Sequence, residues 1–455
     1  VAAAATRSRV LYPKASDAEI ENDNPGRHLA TTATSSVRAK LRIHAEYVKQ
    51  DGTSGADSND ATLVNKIQND LMPKAIAFWQ DALYTFSVQG ALRFDRHCAP
   101  GLSYDMTQFA SMNGNVYAST NHEVCVSVAS PETCAAAHSS SQRVPDAWLN
   151  SREYCEQCWG DGYCYDGENT AESPLRSCSK ATAGAGLAET DFALLVTVAD
   201  TTECQSSPSA AAYAYTCRWD QYDRPILGYM NFCPTAMARM ADDALKLLTI
   251  KHEMAHALGF NADNFKLMRE RDGTTPRTAR EGGGDIGAVP KTTTLTCADG
   301  SSKSDFAAPA ESTLWRGEIV GRSISHAFKL ATPTVVAAGR EHFGCDTMNG
   351  VELENTPTTA GVCFGSHWEQ RVLDGEAMAA QVTDASSSFS AITFAAFHDM
   401  GFYSVDFSKS DPRMVWGRDQ GCTFLEDKCV AESIPMLEDQ GYFCTQENKE
   451  RCAPD

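Results

Sequence analysis

The residues best suited to chemistry stand in one short run, Lys251 to Phe260, which reads K-H-E-M-A-H-A-L-G-F. His252 and His256 are four apart, and a helix turns about 100° per residue, so their imidazoles leave nearly one face about one turn apart. Two rings so placed can hold one metal ion, and this H-E-x-x-H spacing favours zinc. Glu253 sits beside the first histidine, where its carboxylate reaches a water on that metal and can take its proton during attack on a peptide carbonyl. A purely structural metal site has no need of Glu253, whereas water activation does.

A helix must carry this run. Met237, Met240, Ala244, Leu247, Leu248, Met254, Ala255 and Leu258 recur at helical spacing, with Asp242, Asp243, Lys246 and Lys251 mostly opposite, which predicts one long amphipathic helix. Gly259 follows His256 by three, where the helix must stop, and glycine tolerates the left-handed backbone of that turn. Upstream, Asp191 to Ala199 (D-F-A-L-L-V-T-V-A) and Pro225 to Asn231 (P-I-L-G-Y-M-N) read as buried strands backing the helix. Val37 to Val48 alternates like a strand. A helix is expected from Leu63, interrupted or restarted at Pro73, and running through Ile76, Trp79 and Leu83. These elements make residues 37–260 an α+β catalytic domain. Residues 1–36, with an alanine run and a turn at Asn24-Pro25-Gly26, read as an extended arm or pro-segment remnant.

The chain has 455 residues, room for two or three domains. With 42% hydrophobic and 22% charged residues it fits neither a disordered chain nor a membrane bundle. No run of 18 apolar residues occurs, so no transmembrane segment is expected. The net charge of -20 disfavours nucleic acid and anionic lipid as partners. Seventeen cysteines, from Cys98 to Cys452, point to disulfides of a secreted protein. The odd count leaves at least one thiol free or paired outside the chain. Cys155, Cys158 and Cys164 read as staples of a surface region rather than as a zinc knuckle or redox pair. No signal peptide is visible at Val1, so export rests on the cysteines. Because these lie in loop-rich regions away from the metal motif, reduction is expected to loosen the termini and residues 98–178 before zinc is lost.

A catalytic zinc site takes three protein ligands and keeps one position open. In the short metzincin pattern the third is a histidine six residues after the second, but that position is Ala262. A downstream glutamate, as in thermolysin-like enzymes, or a histidine returned by a long insertion are the alternatives. The histidines after the motif are His326, His342, His367 and His398. Asn261 to Ser366 is too long a connection to be structureless, so an inserted subdomain is expected there, with a helix near Ser325 to Leu330. Beyond His367 come a helical pattern through Phe394, Ala395 and Phe397, a strand-like F-Y-S-V, and a tail with Cys422, Cys429, Cys444 and Cys452.

The chain resembles the leishmanolysin family of metzincins in an ordered series of motifs. These are H-E-M-A-H-A-L-G-F from His252, C-D-T-M-N-G-V-E-L-E from Cys345, and G-S-H-W-E-Q-R from Gly365. F-H-D-M-G-F-Y from Phe397 and G-C-T-F-L-E-D-K-C from Gly421 complete it. The resemblance spans roughly Leu187 to Cys429 and is far more specific than the five-residue motif alone. It implies an α+β, metzincin-like zincin fold. An inserted domain over residues 261–366 would separate the second and third zinc histidines, and a disulfide-rich C-terminal domain would occupy residues 367–455. It makes His367 the third ligand and Met378, in D-G-E-A-M, the methionine of the turn beneath the metal. Met400 competes on sequence alone, but its F-H-D-M-G-F context matches a later helix of the family. His326, His342 and His398 are then structural. The insertion looks longer than the family's usual. Family members are made as proenzymes silenced by a pro-segment cysteine; none precedes Cys98, which implies an activated form.

The function so implied is a secreted or cell-surface zinc endopeptidase with one catalytic Zn2+, Glu253 as general base, and protein or peptide substrates. Any membrane contact is expected to be peripheral association with a cell surface. One competing reading is a surface or matrix protein that uses the fold for adhesion or assembly. A thermolysin-like peptidase with a glutamate ligand would keep the reaction and change the fold.

Overall fold

The computed structural model describes residues 7–8, 10, 38–49, 55–97, 103–105, 123–125, 129, 132–134, 143–154, 163–164, 176–177, 179–281, 290–355, 363–381 and 386–428. Most of the expected arm over 1–36, Cys155 and Cys158, and the tail cysteines Cys429, Cys444 and Cys452 lie outside them.

A five-stranded sheet backs the metal motif. Its strands in chain order are β1 (Arg7–Ser8), β2 (Ile43–Tyr47), β3 (Phe192–Val198), β4 (Ala212–Asp220) and β5 (Pro225–Phe232). They lie in the order β1-β4-β5-β3-β2, with β4 antiparallel to β5 and the other pairs parallel. Strand β3 is buried along its whole length because it feeds two cores, as a period of two dictates. Phe192, Leu194, Val196 and Val198 join the larger core on the helix side. Ala193 and Leu195 join Leu92, Phe94 and Trp148 on the other. Both expected buried strands are present. Val37–Val48, read as one strand, is two: Arg38–Lys40 pairs with Leu83–Phe86, whereas Ile43–Tyr47 enters the main sheet. Asp191 explains the change of sheet, since its carboxylate takes the Arg42 main-chain N–H at 3.0 Å and the Arg42 guanidinium at 2.7 Å.

The chain from Ala61 is helical to Ala82, where Leu83 begins a strand instead of continuing the helix. The expected interruption takes the form of a π-helical turn, Ile67–Leu71, which hands over without a break to α1 (Met72–Ala82), and Pro73, which has no N–H to give the preceding turn, sits at this junction. The metal motif lies on α2 (Asp243–Ala257). The expected single long helix is in fact two, because Met240 is extended and Asp242 caps a new start by accepting from Ala244 N at 2.7 Å. Met237 and Met240 therefore do not share the histidine helix. Nor is α2 amphipathic at its end: His252 to Ala257 are all buried, so this segment runs through the interior. Gly228 on β5 allows that, since a Cβ there would stand 2.7 Å from Phe192 Cζ and 2.9 Å from Ala257 Cβ.

The connection after the motif is structured. Ser325–Leu330, expected as helix, lies instead in the strand Ile324–Leu330, which pairs antiparallel with Leu314–Ile319. Its apolar residues alternate closely enough for a half-buried strand, and the helix of this region is α3 (Pro333–Phe343). Helix α4 (Ala391–Asp399) ends on Asp399, whose carboxylate caps α3 through Thr334 N at 2.7 Å and Thr334 Oγ1 at 2.6 Å. Ser404–Val405 then pairs with Leu83–Phe86. One continuous core joins Trp79, Met254, Phe260, Phe328, Trp368, Met378, Phe394 and Tyr403. Four disulfides, Cys134–Cys217, Cys204–Cys233, Cys297–Cys363 and Cys345–Cys422, staple the described residues.

Candidate metal centre

Helix α2 is fixed at the site from three sides. Trp79 Nε1 donates to Lys251 O at 3.1 Å, Thr216 Oγ1 to Ala257 O at 3.0 Å, and Tyr403 Oη to Leu258 O at 3.0 Å. Gly259, at φ +123°, ends the helix as expected and turns the chain so that Phe260 O faces back to His256. The excursion that follows returns beside its starting point, where Ala262 N donates to Ser366 Oγ at 3.1 Å. Ala262 is the position where the short pattern would have its third histidine, and Ser366 delivers His367 next to it.

Among the described residues, His252, His256 and His367 form the cluster able to hold a metal ion. His256 Nε2 stands 3.0 Å from His252 Nε2 and 3.2 Å from His367 Nε2. Each Nδ1 is engaged as a donor: His252 to Ala377 O at 2.5 Å, His256 to Phe260 O at 2.7 Å, and His367 to a Glu354 carboxylate oxygen at 2.9 Å. With each Nδ1 so engaged, the three Nε2 atoms are left facing one another. Lone pairs so placed repel unless a cation lies between them. Two nitrogens about 2.0–2.1 Å from one tetrahedral ion stand about 3.4 Å apart, close to the spacing here, so the donor set fits zinc. Burial pulls the His252 imidazole down to about 3, with His367 adding to the shift, and holds His256 well below its ordinary range, so both rings are neutral.

Glu253 is buried beside these rings, where burial pushes its carboxyl up to about 8 against one main-chain hydrogen bond from Ala214. It is not part of the three-histidine cluster. Met378 is fully buried, in a turn whose Met378 O accepts from Trp368 N at 2.9 Å. Met400, its competitor, caps the C-terminal end of helix α4 and packs against Gly259 instead. His342 donates from Nε2 to Trp416 O at 2.8 Å, His326 lies on the strand Ile324–Leu330, and His398 packs on the Phe407 ring. All three lie outside the cluster.

Two carboxylates shape the site without having been singled out in the sequence. Glu376 is fully buried and accepts from Met378 N, from Ser390 N at 2.9 Å, from Ser390 Oγ at 3.0 Å and from Thr393 Oγ1 at 2.6 Å. Trp368 Nε1 in turn donates to Thr393 Oγ1 at 2.8 Å. One side chain thus ties the turn bearing Ala377 O and Met378 to the residue after His367 and to the start of α4. Burial raises its carboxyl against those four donors. Glu354 is the other, at His367 Nδ1. Both stand inside motifs already quoted, D-G-E-A-M and C-D-T-M-N-G-V-E-L-E, and an acidic residue close to a methionine turn or ending a motif was the signal available.

The leishmanolysin family profile matches residues 168–294 and 303–455, more than half of the chain. The chain belongs to the leishmanolysin family. Leishmanolysins are generally zinc metallopeptidases, in keeping with the donor set. A leishmanolysin-like peptidase of Drosophila melanogaster is 29% identical over 443 residues, 94% of this chain and 58% of that protein. One of Caenorhabditis elegans is 28% identical over 440 residues, 94% and 59% of the two chains. Leishmanolysin of Leishmania chagasi is 30% identical over 261 residues, 57% and 34%. The chain spans about half the length of the curated leishmanolysin-like relatives it matches over nearly its full extent.

Proposed function

We propose that this chain is a secreted or cell-surface zinc endopeptidase in which His252, His256 and His367 hold one zinc ion and Glu253 is the general base. The observation that carries this reading is the convergence of three Nε2 atoms, with the buried carboxylate of Glu253 on the same helix and outside their cluster. Zinc held there supplies a Lewis acid that acidifies water and polarises the scissile carbonyl. Glu253 takes the proton of the attacking water and gives it to the leaving amine. The carbonyls of Ala377 and Phe260 keep the rings of His252 and His256 in the tautomer that leaves Nε2 free. Met378 contributes an apolar floor under the rings.

In this reading residues 37–260 carry the helix, residues 261–366 are an inserted domain, and residues 367–455 bring His367 and Met378 across the cleft where a peptide lies. The four disulfides support an oxidising compartment, and among the described residues no helix is long and apolar enough to cross a membrane. Contact with a cell surface would be peripheral. Digestion of a peptide library by the purified chain tests the reading. Cleavage should stop with a chelator and return with zinc. A chain that retains zinc and cleaves nothing would favour adhesion or assembly instead.

A further inference from the structure

The three histidines are not held alike. His252 and His256 lie on one helix and donate to main-chain carbonyls, neutral acceptors that the fold supplies. His367 comes from a separate segment, is partly exposed, and donates to the Glu354 carboxylate at 2.9 Å. That carboxylate is set in place by a short ladder: Glu354 N donates to His367 O at 2.9 Å, Gly365 N donates to Glu354 O at 2.7 Å, and Leu353 bridges Trp368. Gly365 has an ordinary backbone, so its lack of a side chain answers a steric demand. A Cβ there would stand 2.8 Å from Glu354 Cδ and 3.0 Å from Glu354 Cβ, with the carboxylate oxygen facing His367 in its way.

We propose that Glu354 is the positioning residue of the third ligand, and that Gly365 is glycine so that the Glu354 carboxylate can lie against His367 Nδ1. The proposal rests on the zinc reading above. Its chemistry is that of an anion on the far side of an imidazole. It fixes the Nδ1–H tautomer, aims Nε2 at the metal, and makes that nitrogen a stronger donor than a carbonyl partner would. This matters most for His367, which has no helix of its own to orient it. Glu354 touches neither metal nor substrate and acts only through the ring.

The test is zinc affinity, measured by competition with a chelator on the full chain carrying Glu354→Ala, Glu354→Gln, Gly365→Ala or His367→Ala, each checked for fold by circular dichroism. Glu354→Ala should weaken zinc by roughly 10- to 100-fold, the usual effect of removing such a partner. Glu354→Gln keeps an acceptor oxygen without the charge and should recover part of the loss. Gly365→Ala touches no histidine yet should weaken zinc like Glu354→Ala, because the new methyl displaces a flexible carboxylate at little cost to the fold. If Glu354→Ala does not fold, Gly365→Ala and Glu354→Gln carry the test. A second readout is the ¹⁵N spectrum of the metal-free protein. His367 should be the Nδ1–H tautomer in the parent and a mixture in Gly365→Ala. Parental zinc affinity and tautomer in Gly365→Ala and the Glu354 variants, alongside a weakened His367→Ala, would overturn the role of Glu354 alone. Parental affinity in His367→Ala would overturn the ligand assignment, and the role of Glu354 with it.

Discussion

At the scale of single residues, what decides the chemistry is which nitrogen of each histidine carries its proton. With each Nδ1 engaged, the three Nε2 atoms face one another in a cluster that could hold a cation. His252, His256 and Glu253 were legible in the sequence because helical spacing fixes their directions. His367 was legible only through the order of longer motifs, and Glu354 and Glu376 were not assigned roles, since a carboxylate acting through a neighbour has no spacing rule of its own. His398 shows another outcome of burial. It is pulled down to about 4, chiefly by burial and next by the Arg271 charge, and its Nδ1 has no hydrogen-bond partner among the described residues. In the unfolded chain it titrates near 6.5, so between those values the unfolded state holds a proton that the folded state refuses. Stability should therefore fall as pH drops through this window, by up to about 1.4 kcal/mol per unit from this group. Urea unfolding of parent and His398→Gln across the window should give a shallower dependence in the variant, and equal slopes would contradict the buried neutral ring.

At the scale of elements, the sheet and the end of the histidine helix were readable because burial there follows simple periods. The two buried strands and the Gly259 stop fall where expected. The two misreadings have different causes: at Met237 and Met240 the helical period holds but the Asp242 cap starts a new helix, whereas Ile324–Leu330 fits two periods and strand pairing decides between them. The disulfides alter one expectation outright. Cys363 lies four residues before His367 and is joined to Cys297, with both cysteines fully buried, so not every cysteine is remote from the metal site. Loss of this bridge should free the segment that presents His367. Replacing Cys297 and Cys363 by serine should speed zinc loss to a chelator several-fold. The same change at Cys204 and Cys233, which pack with Ala236 in a small separate cluster, should not. Equal rates in the two variants would show that the bridge does not support the site.

Across the whole molecule, the site exists only because distant stretches of chain meet. His256 and His367 are 111 residues apart, yet the excursion between them closes through Ala262 and Ser366, and one core runs from Trp79 to Phe424 beneath both. In the proposed reading this long return serves to place one imidazole beside two others around a metal that needs all three. In that reading Glu253 separates an enzyme from a scaffold, because it would serve the water and not the ion. The direct measurement is peptide hydrolysis by Glu253→Gln with zinc counted in the same preparation. The substitution keeps size and most hydrogen bonding but removes the basic oxygen. Zinc should stay near one per chain while hydrolysis falls by at least roughly 10²- to 10⁴-fold. Cleavage at the parental rate by a zinc-loaded Glu253→Gln chain would contradict the account.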